Sequence, residues 1–160
     1  MDKKKLFNLV KKIFILHKLS SNHATICANA LINAELVGAY GHGLSRLKMY
    51  CNRIKKKVIN PKPKIKIKKI SQSISHIDAN NSIGFVAADL AIKTAIKNAK
   101  KTGIGMVAVK NSGHYGLSGY YAEQAVKKNL ITMIYTNAPP AVAPHGALKS
   151  LFGTNPICFG

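Results

Sequence analysis

The sequence predicts an α/β fold, with an N-terminal helical segment over residues 1–60 followed by alternating strands and helices over residues 61–160. Three observations predict it. Apolar residues recur at three- and four-residue spacing through the first sixty positions. Period-two alternation then starts at Lys64-Ile65-Lys66-Ile67-Lys68. Beyond it, short apolar runs alternate with Ala-rich helical windows, an order that implies layers and some parallel strand pairing.

Leu6, Leu9/Val10, Ile13 and Leu16 mark a first helix of about four turns. Ser20-Ser21-Asn22 supplies N-cap chemistry for a second, whose stripe is Cys27, Ala30/Leu31, Ala34 and Val37 and which stops near Gly38. Tyr40-Gly41-His42-Gly43 is a break. A third helix follows with Leu47, Tyr50/Cys51, Ile54 and Val58 on one face, ended by Asn60-Pro61-Lys62-Pro63.

The alternating lysine-isoleucine run reads as an edge or half-exposed strand, turned by Ser71-Gln72-Ser73 into a return strand over Ile74–Ala79. Asn80-Asn81-Ser82 is expected to cap a helix over 83–101, with Lys100-Lys101 and Gly103 as its stop signal. Ile104–Val109 reads as a buried strand. A glycine-rich loop from Lys110 to Gly119 leads to a helix over Tyr120–Lys128, then a strand over Ile131–Thr136 and an irregular Pro/Gly loop. The last ten residues read as a loop entering a new apolar strand, so the sequence is expected to be one part of a longer fold.

Composition narrows the function. With 25 Lys+Arg against 5 Asp+Glu the formal net charge is +20, yet 47% of residues are hydrophobic, as in a globular chain. Only Arg46 and Arg53 among the basic residues are arginines. A reader of DNA or RNA bases favours Arg for bidentate contacts, so the lysines at 55–57 and 62–69 read first as a solvated face; a basic, non-catalytic module binding nucleic acid or another polyanion is the alternative. No apolar run reaches the length of a membrane span, and Lys11 and Lys12 interrupt what would be a signal peptide's apolar core. Cys27, Cys51 and Cys158 are odd in number and lack metal-ligand spacing, which suits reduced thiols in a cytoplasm. No metal site is expected. The five acids form no paired-carboxylate site in sequence, and H-E-x-x-H and G-x-S-x-G are absent.

His42 and Arg46 lie four apart in a loop running into the third helix, a spacing that would stack them on one face. Histidine titrates near neutral pH, and arginine binds a carboxylate through two charge-assisted hydrogen bonds. Together they suit a 2-oxo or 2-hydroxy acid. His114 lies in Asn111-Ser112-Gly113-His114-Tyr115-Gly116-Leu117-Ser118-Gly119, expected at the carboxyl end of a strand and the amino end of a helix, where α/β folds place ligands. The glycines there read G-x-x-G-x-x-G, not the dinucleotide fingerprint, and no acid follows Glu123 to meet a ribose hydroxyl. His17 reads as ending a helix, His23 as a first-turn residue, His76 as a strand position, and His145 as a loop residue that could line a site.

Four ordered motifs carry a resemblance. Gly41-His42-Gly43-Leu44-Ser45-Arg46-Leu47 with Tyr50, then Asn111–Gly116 running into Gly119-Tyr120-Tyr121-Ala122, then Thr136-Asn137 with Val142-Ala143-Pro144, and finally Gly153-Thr154-Asn155-Pro156 resemble the malate/L-lactate dehydrogenase family. This is the non-Rossmann type that includes ureidoglycolate dehydrogenase and 2,3-diketogulonate reductase. The resemblance spans nearly the whole chain, as the N-terminal portion of such an enzyme. It implies an oxidoreductase interconverting a small 2-oxo acid and its 2-hydroxy acid, such as malate or lactate, with NAD or NADP. It also implies His42 and His114 as catalytic candidates, Arg46 and Tyr50 as substrate-binding, and Thr154, Asn155 and Pro156 as cofactor-binding. The family forms homodimers, so an exposed apolar surface is expected. Two departures stand out: Gly41 replaces a serine that many relatives carry, and family members continue beyond Gly160, where most cofactor contacts fall, so residues 1–160 alone are expected to be inactive.

Overall fold

The computed structural model describes residues 2–160. Helix α1 (Lys3–Leu16) starts where the Asp2 carboxylate accepts the Lys5 N–H and buries Val10 and Phe14. The chain reverses at Lys18, whose φ is +69°. Helix α2 (Ser21–Leu36) is capped by the Ser20 hydroxyl, which accepts the His23 N–H. It buries Ala24, Cys27, Ala30, Leu31 and Ala34, as its stripe predicts. Val37 does not follow the stripe: it caps the helix, where the periodicity ends, and is 60% exposed.

Two short 3₁₀ turns, Tyr40–His42 and Leu44–Arg46, lead into α3 (Leu47–Lys55). Tyr50, Cys51 and Ile54 are buried there. The helix stops five residues before Asn60, because Lys57 takes a left-handed conformation; Val58 therefore faces solvent and Ile59 enters the core in its place.

Strand β1 (Lys66–Lys69) pairs antiparallel with β2 (Ile74–Ser82), with Lys66 opposite Asp78, and is an exposed edge. Strand β2 pairs parallel with β3 (Met106–Ser112), and α4 (Gly84–Thr102) is the crossover between them. Asn80 and Asn81 do not cap α4. Both have positive φ and form an irregularity in β2, while the Asn80 carboxamide oxygen accepts the Lys64 N–H and an Asn60 amide proton; the N-cap is Ile83. Gly103, at φ +80°, ends α4.

Helix α5 (Ser118–Val126) precedes a two-stranded antiparallel ribbon of β4 (Met133–Tyr135) and β5 (Ile157–Phe159). The inner residue Ile134 packs against Tyr121 and Ala125. The outer pairs, Met133 with Phe159 and Tyr135 with Ile157, are all more than half exposed. Strand β3 is not buried as its sequence suggests: Met106 is 59% exposed, because β2 and α4 cover only part of it.

One core cluster joins Phe14, Leu31 and Tyr50 to Phe85 at the start of α4; a smaller one joins Ile92, Tyr121 and Ala125. Among the described residues no helix is long and apolar enough to cross a membrane.

Candidate active site

The first core cluster ends where three segments meet around Tyr50 and His114. Glu35, near the end of α2, accepts the Leu44 N–H at 2.6 Å and so fixes the junction of the two 3₁₀ turns. The Ser45 hydroxyl donates to the Tyr40 carbonyl (2.6 Å), and Arg46 Nε donates to the Gly41 carbonyl (2.7 Å). Gly43, with φ −97° and ψ −139°, interrupts helical geometry between these turns. His42 and Arg46 are thus not an i,i+4 pair on one helix, contrary to the spacing argument. They share the cleft because the backbone folds over itself, and an Arg46 hydrogen bond closes the fold.

The second segment is α3. Tyr50 is fully buried, its ring tilted against Phe85 with centroids 4.8 Å apart, and its hydroxyl lies 2.7 Å from His114 Nδ1. The third is the glycine-rich loop after β3, at the carboxyl end of a parallel strand as expected. There His114 Nδ1 also accepts the Gly116 N–H at 3.2 Å. The His42 and His114 rings stack, with centroids 5.8 Å apart and planes 16° from parallel. The loop is fixed from below: Tyr121 donates to the Tyr115 carbonyl and the Tyr115 hydroxyl pairs with Ser118 Oγ.

The electrostatics follow from this packing. Burial lowers the His114 pKa, and the neighbouring His42, Arg46 and Arg53 lower it further. Burial pushes the Tyr50 phenol well above its ordinary value, with Arg46 opposing. Both arginines of the chain therefore act on this cleft. The cleft is cationic and open, with His42 and Arg46 exposed and His114 half-buried, which suits a small anion.

Of the seven site residues expected from sequence, His42, His114, Arg46 and Tyr50 gather here. Thr154, Asn155 and Pro156 do not. Asn155 and Pro156 line a separate open groove of about 420 Å³ with Tyr135, Thr136, Asn137 and Ile157, and Thr154 is exposed outside it. The Asn155 carboxamide oxygen accepts the Ala138 N–H at 2.8 Å, so that side chain holds two loops together. His17 caps α1, and His76 and His145 are exposed. Among the described residues no three His, Cys, Asp or Glu side chains are placed to hold a metal.

Four residues of the site were not singled out from sequence. Glu35 and Arg53 look like ordinary surface charges within helices. Phe85 looks like core. Gly84 carried a signal, a glycine at a helix start where alanine would serve; here it lies so close to the Gly113 and His114 carbonyls that a Cβ would overlap them.

The sequence profile of the malate/L-lactate dehydrogenase family matches residues 1–160. The malate dehydrogenase of Pyrococcus abyssi is 42% identical over 157 residues, covering 98% of this chain and 43% of that protein. The L-sulfolactate dehydrogenase of Methanocaldococcus jannaschii is 38% identical over 156 residues, covering 98% and 44%. The solved structure of malate dehydrogenase from Pyrococcus horikoshii superimposes with a TM-score of 0.94 at 38% identity, over 99% of this chain and 46% of that one. The chain thus spans less than half the length of these relatives, and over that span its fold superimposes on the solved one. It belongs to the malate/L-lactate dehydrogenase family.

Proposed function

We propose that this chain supplies the acid-binding and proton-transferring part of an NAD(P)-dependent oxidoreductase that interconverts a small 2-oxo acid and its 2-hydroxy acid. One observation carries the reading: the His42 and His114 rings stack 5.8 Å apart on the segment where Arg46 folds back onto the Gly41 carbonyl. The Arg46 guanidinium, with only its Nε engaged by the protein among the described residues, turns its Nη groups to a carboxylate. The imidazole pair then stands beside the neighbouring oxygen, where a proton is lost or gained. Acid/base help of this kind is typically about 10²–10⁴-fold.

A nicotinamide cofactor, when bound, supplies or accepts the hydride at the carbon bearing that oxygen. The Asn155–Pro156 groove fits part of such a molecule, with a volume in the range of small-ligand sites and Tyr135, Asn137 and Asn155 among its lining residues. Asn155 and Pro156 are the residues we assign to it from the groove, with the exposed Thr154 next to them in the chain; the choice between NAD and NADP falls to the assay.

Malate- and sulfolactate-type acids are the first substrates to test, after the relatives' names. A homodimer goes with this reading, and the apolar outer face of the β4–β5 ribbon is a surface it would use. The alternative, a polyanion-binding module, draws no support from relatives named as dehydrogenases. The test is oxidation of NADH or NADPH, followed by absorbance, with a panel of 2-oxo acids, in the chain alone and completed by the remaining half of a relative. Turnover that vanishes in both His42→Ala and His114→Ala supports the reading; no turnover with any acid in either form overturns it.

A further inference from the structure

We infer that Phe85, in the first turn of α4, is a positioning residue for the site. Its buried ring sets the Tyr50 ring and the glycine-rich loop at the separation at which both meet His114. The inference rests on the functional reading above and goes further by naming a residue that acts on the site without touching substrate.

Two contacts place the ring. The Tyr50 ring tilts against it, with centroids 4.8 Å apart and planes 56° from parallel. Gly116 lies so near that a Cβ there would sit 2.6 Å from Phe85 Cε1. Tyr50 and Gly116 are also the two partners of His114 Nδ1: the phenol oxygen lies 2.7 Å from it, and the Gly116 N–H donates to it at 3.2 Å. Phe85 thus touches both supports of the imidazole, and it is fully buried. Protein interiors are close-packed, so the length and tilt of such a ring fix how far apart its neighbours lie.

The preceding glycine completes the seat. Gly84 lies against the carbonyls of Gly113 and His114, and a Cβ there would overlap both. The first two residues of α4 therefore carry the loop at two points, the backbone of 113–114 and Gly116, and fix the chain from which the imidazole projects. Gly116, at φ +80°, combines a left-handed turn with the close approach to the ring, and a side chain would defeat both. Helix α4 is the crossover between β2 and β3 and packs on both strands, so its first turn is anchored by the sheet and not by the loop it supports.

A phenylalanine that only filled the core would contribute stability and nothing more. Phe14 of α1 is such a residue: it is as buried, in the same cluster, and among the described residues it pairs with no aromatic ring. Phe85 differs because its neighbours are the two groups that meet an imidazole. Arg46 is held by its own turn, through Nε to the Gly41 carbonyl. Shortening Phe85 should therefore disturb His114 more than the binding of a carboxylate.

The unaltered chain gives the first test. Proton NOEs should connect the Phe85 ring both to the Gly116 Hα protons and to the Tyr50 ring, and the absence of either overturns the inference. In ¹⁵N-histidine-labelled chain, Phe85→Leu should shift the His114 imidazole resonances. It should also move the His114 titration upward, as water reaches a ring whose pKa burial lowers; His42, Arg46, Tyr50 and Arg53, the groups that face it, are unaltered in the variant. Phe14→Leu should lower Tm comparably and leave those resonances in place. If Phe85→Leu does not fold, Phe85→Met, closer in volume, is read in the same way. In the enzyme completed by a relative's remaining half, Phe85→Leu should lose about 10- to 100-fold in kcat with KM changed by less than about threefold, and Phe85→Met should recover part of that loss. His114 resonances unmoved in the Phe85 variants, or a kcat no lower than that of Phe14→Leu, would reduce Phe85 to a core residue and refute the inference. Absence of turnover in the unaltered protein would count against the functional reading alone, while the NOEs and the His114 resonances would still decide the positioning.

Discussion

Replacing Glu35 by alanine tests whether the cleft is built from α2 outward. The Glu35 carboxylate accepts the Leu44 N–H at 2.6 Å in a half-buried setting, and Gly43 lies against the same carboxylate so closely that a Cβ there would overlap it. Removing the acceptor breaks a charge-assisted hydrogen bond and leaves the Leu44 amide without its partner, a loss of about 1.5–3 kcal/mol. For a chain of this size each kcal/mol lowers Tm by roughly 2–4 °C, so Glu35→Ala should melt about 3–12 °C lower by circular dichroism. Glu35→Gln keeps a neutral acceptor in place and should lose about half as much. Because the same junction holds His42 and Arg46, the alanine variant should also bind 2-oxo acids more weakly at temperatures where it is fully folded. A Glu35→Ala protein melting within 1 °C of the parent, or a glutamine variant no better than alanine, would refute this account of the turn.

Three further outcomes are expected. Arg46→Lys cannot reproduce the guanidinium fork or the Nε bond to Gly41, and kcat/KM should fall about 10- to 100-fold, mainly through KM; an unchanged KM would remove Arg46 from the binding of the carboxylate. Gly116→Ala should be destabilising by about 1–2 kcal/mol from its φ of +80° alone, and more because the new Cβ would sit 2.6 Å from the Phe85 ring; a chemical denaturation midpoint equal to the parent's would contradict this. Stability should also depend on pH through His23 and His114, whose folded values lie below the ordinary histidine value, through burial in both cases and neighbouring cations in the second. Unfolded, both titrate near about 6.5, so below that pH the unfolded chain binds more protons. Their contribution is fully present above about pH 7 and is lost as pH falls toward 5; Tm should drop over that interval and drop less in His23→Gln. A Tm slope identical in parent and variant would be inconsistent with a role for His23.

Much of the architecture was legible because helices and strands announce themselves over short distances. Val10, Cys27, Leu31 and Ile54 fall on the buried faces that three- and four-residue spacing predicts, and Ser20 and Gly103 start and stop helices through local hydrogen bonds and φ preferences. The failures sit where a local signal was overridden at longer range. Asn80 looks like a helix cap and is instead tied to Asn60 and Lys64. Met106 looks buried because β3 is apolar, yet the fold covers only part of that strand.

The residue types at the cleft and the family could be read from the chain itself, since motif spacing and charge are properties of the sequence. How the cleft works could not. The i,i+4 argument for His42 and Arg46 assumed a continuous helix, and Gly43 breaks it. The bond between Tyr50 and His114 joins residues 64 positions apart. His114 Nδ1 meets the Gly116 amide and the buried Tyr50 hydroxyl only because the fold brings the glycine-rich loop onto α3. Periodicity and capping act within a turn or two of chain, whereas hydrogen-bond partners and burial at a site are set by whatever the folded chain brings alongside; that is why the sequence named the imidazoles and only the tertiary structure stacked their rings and set Tyr50 against one of them.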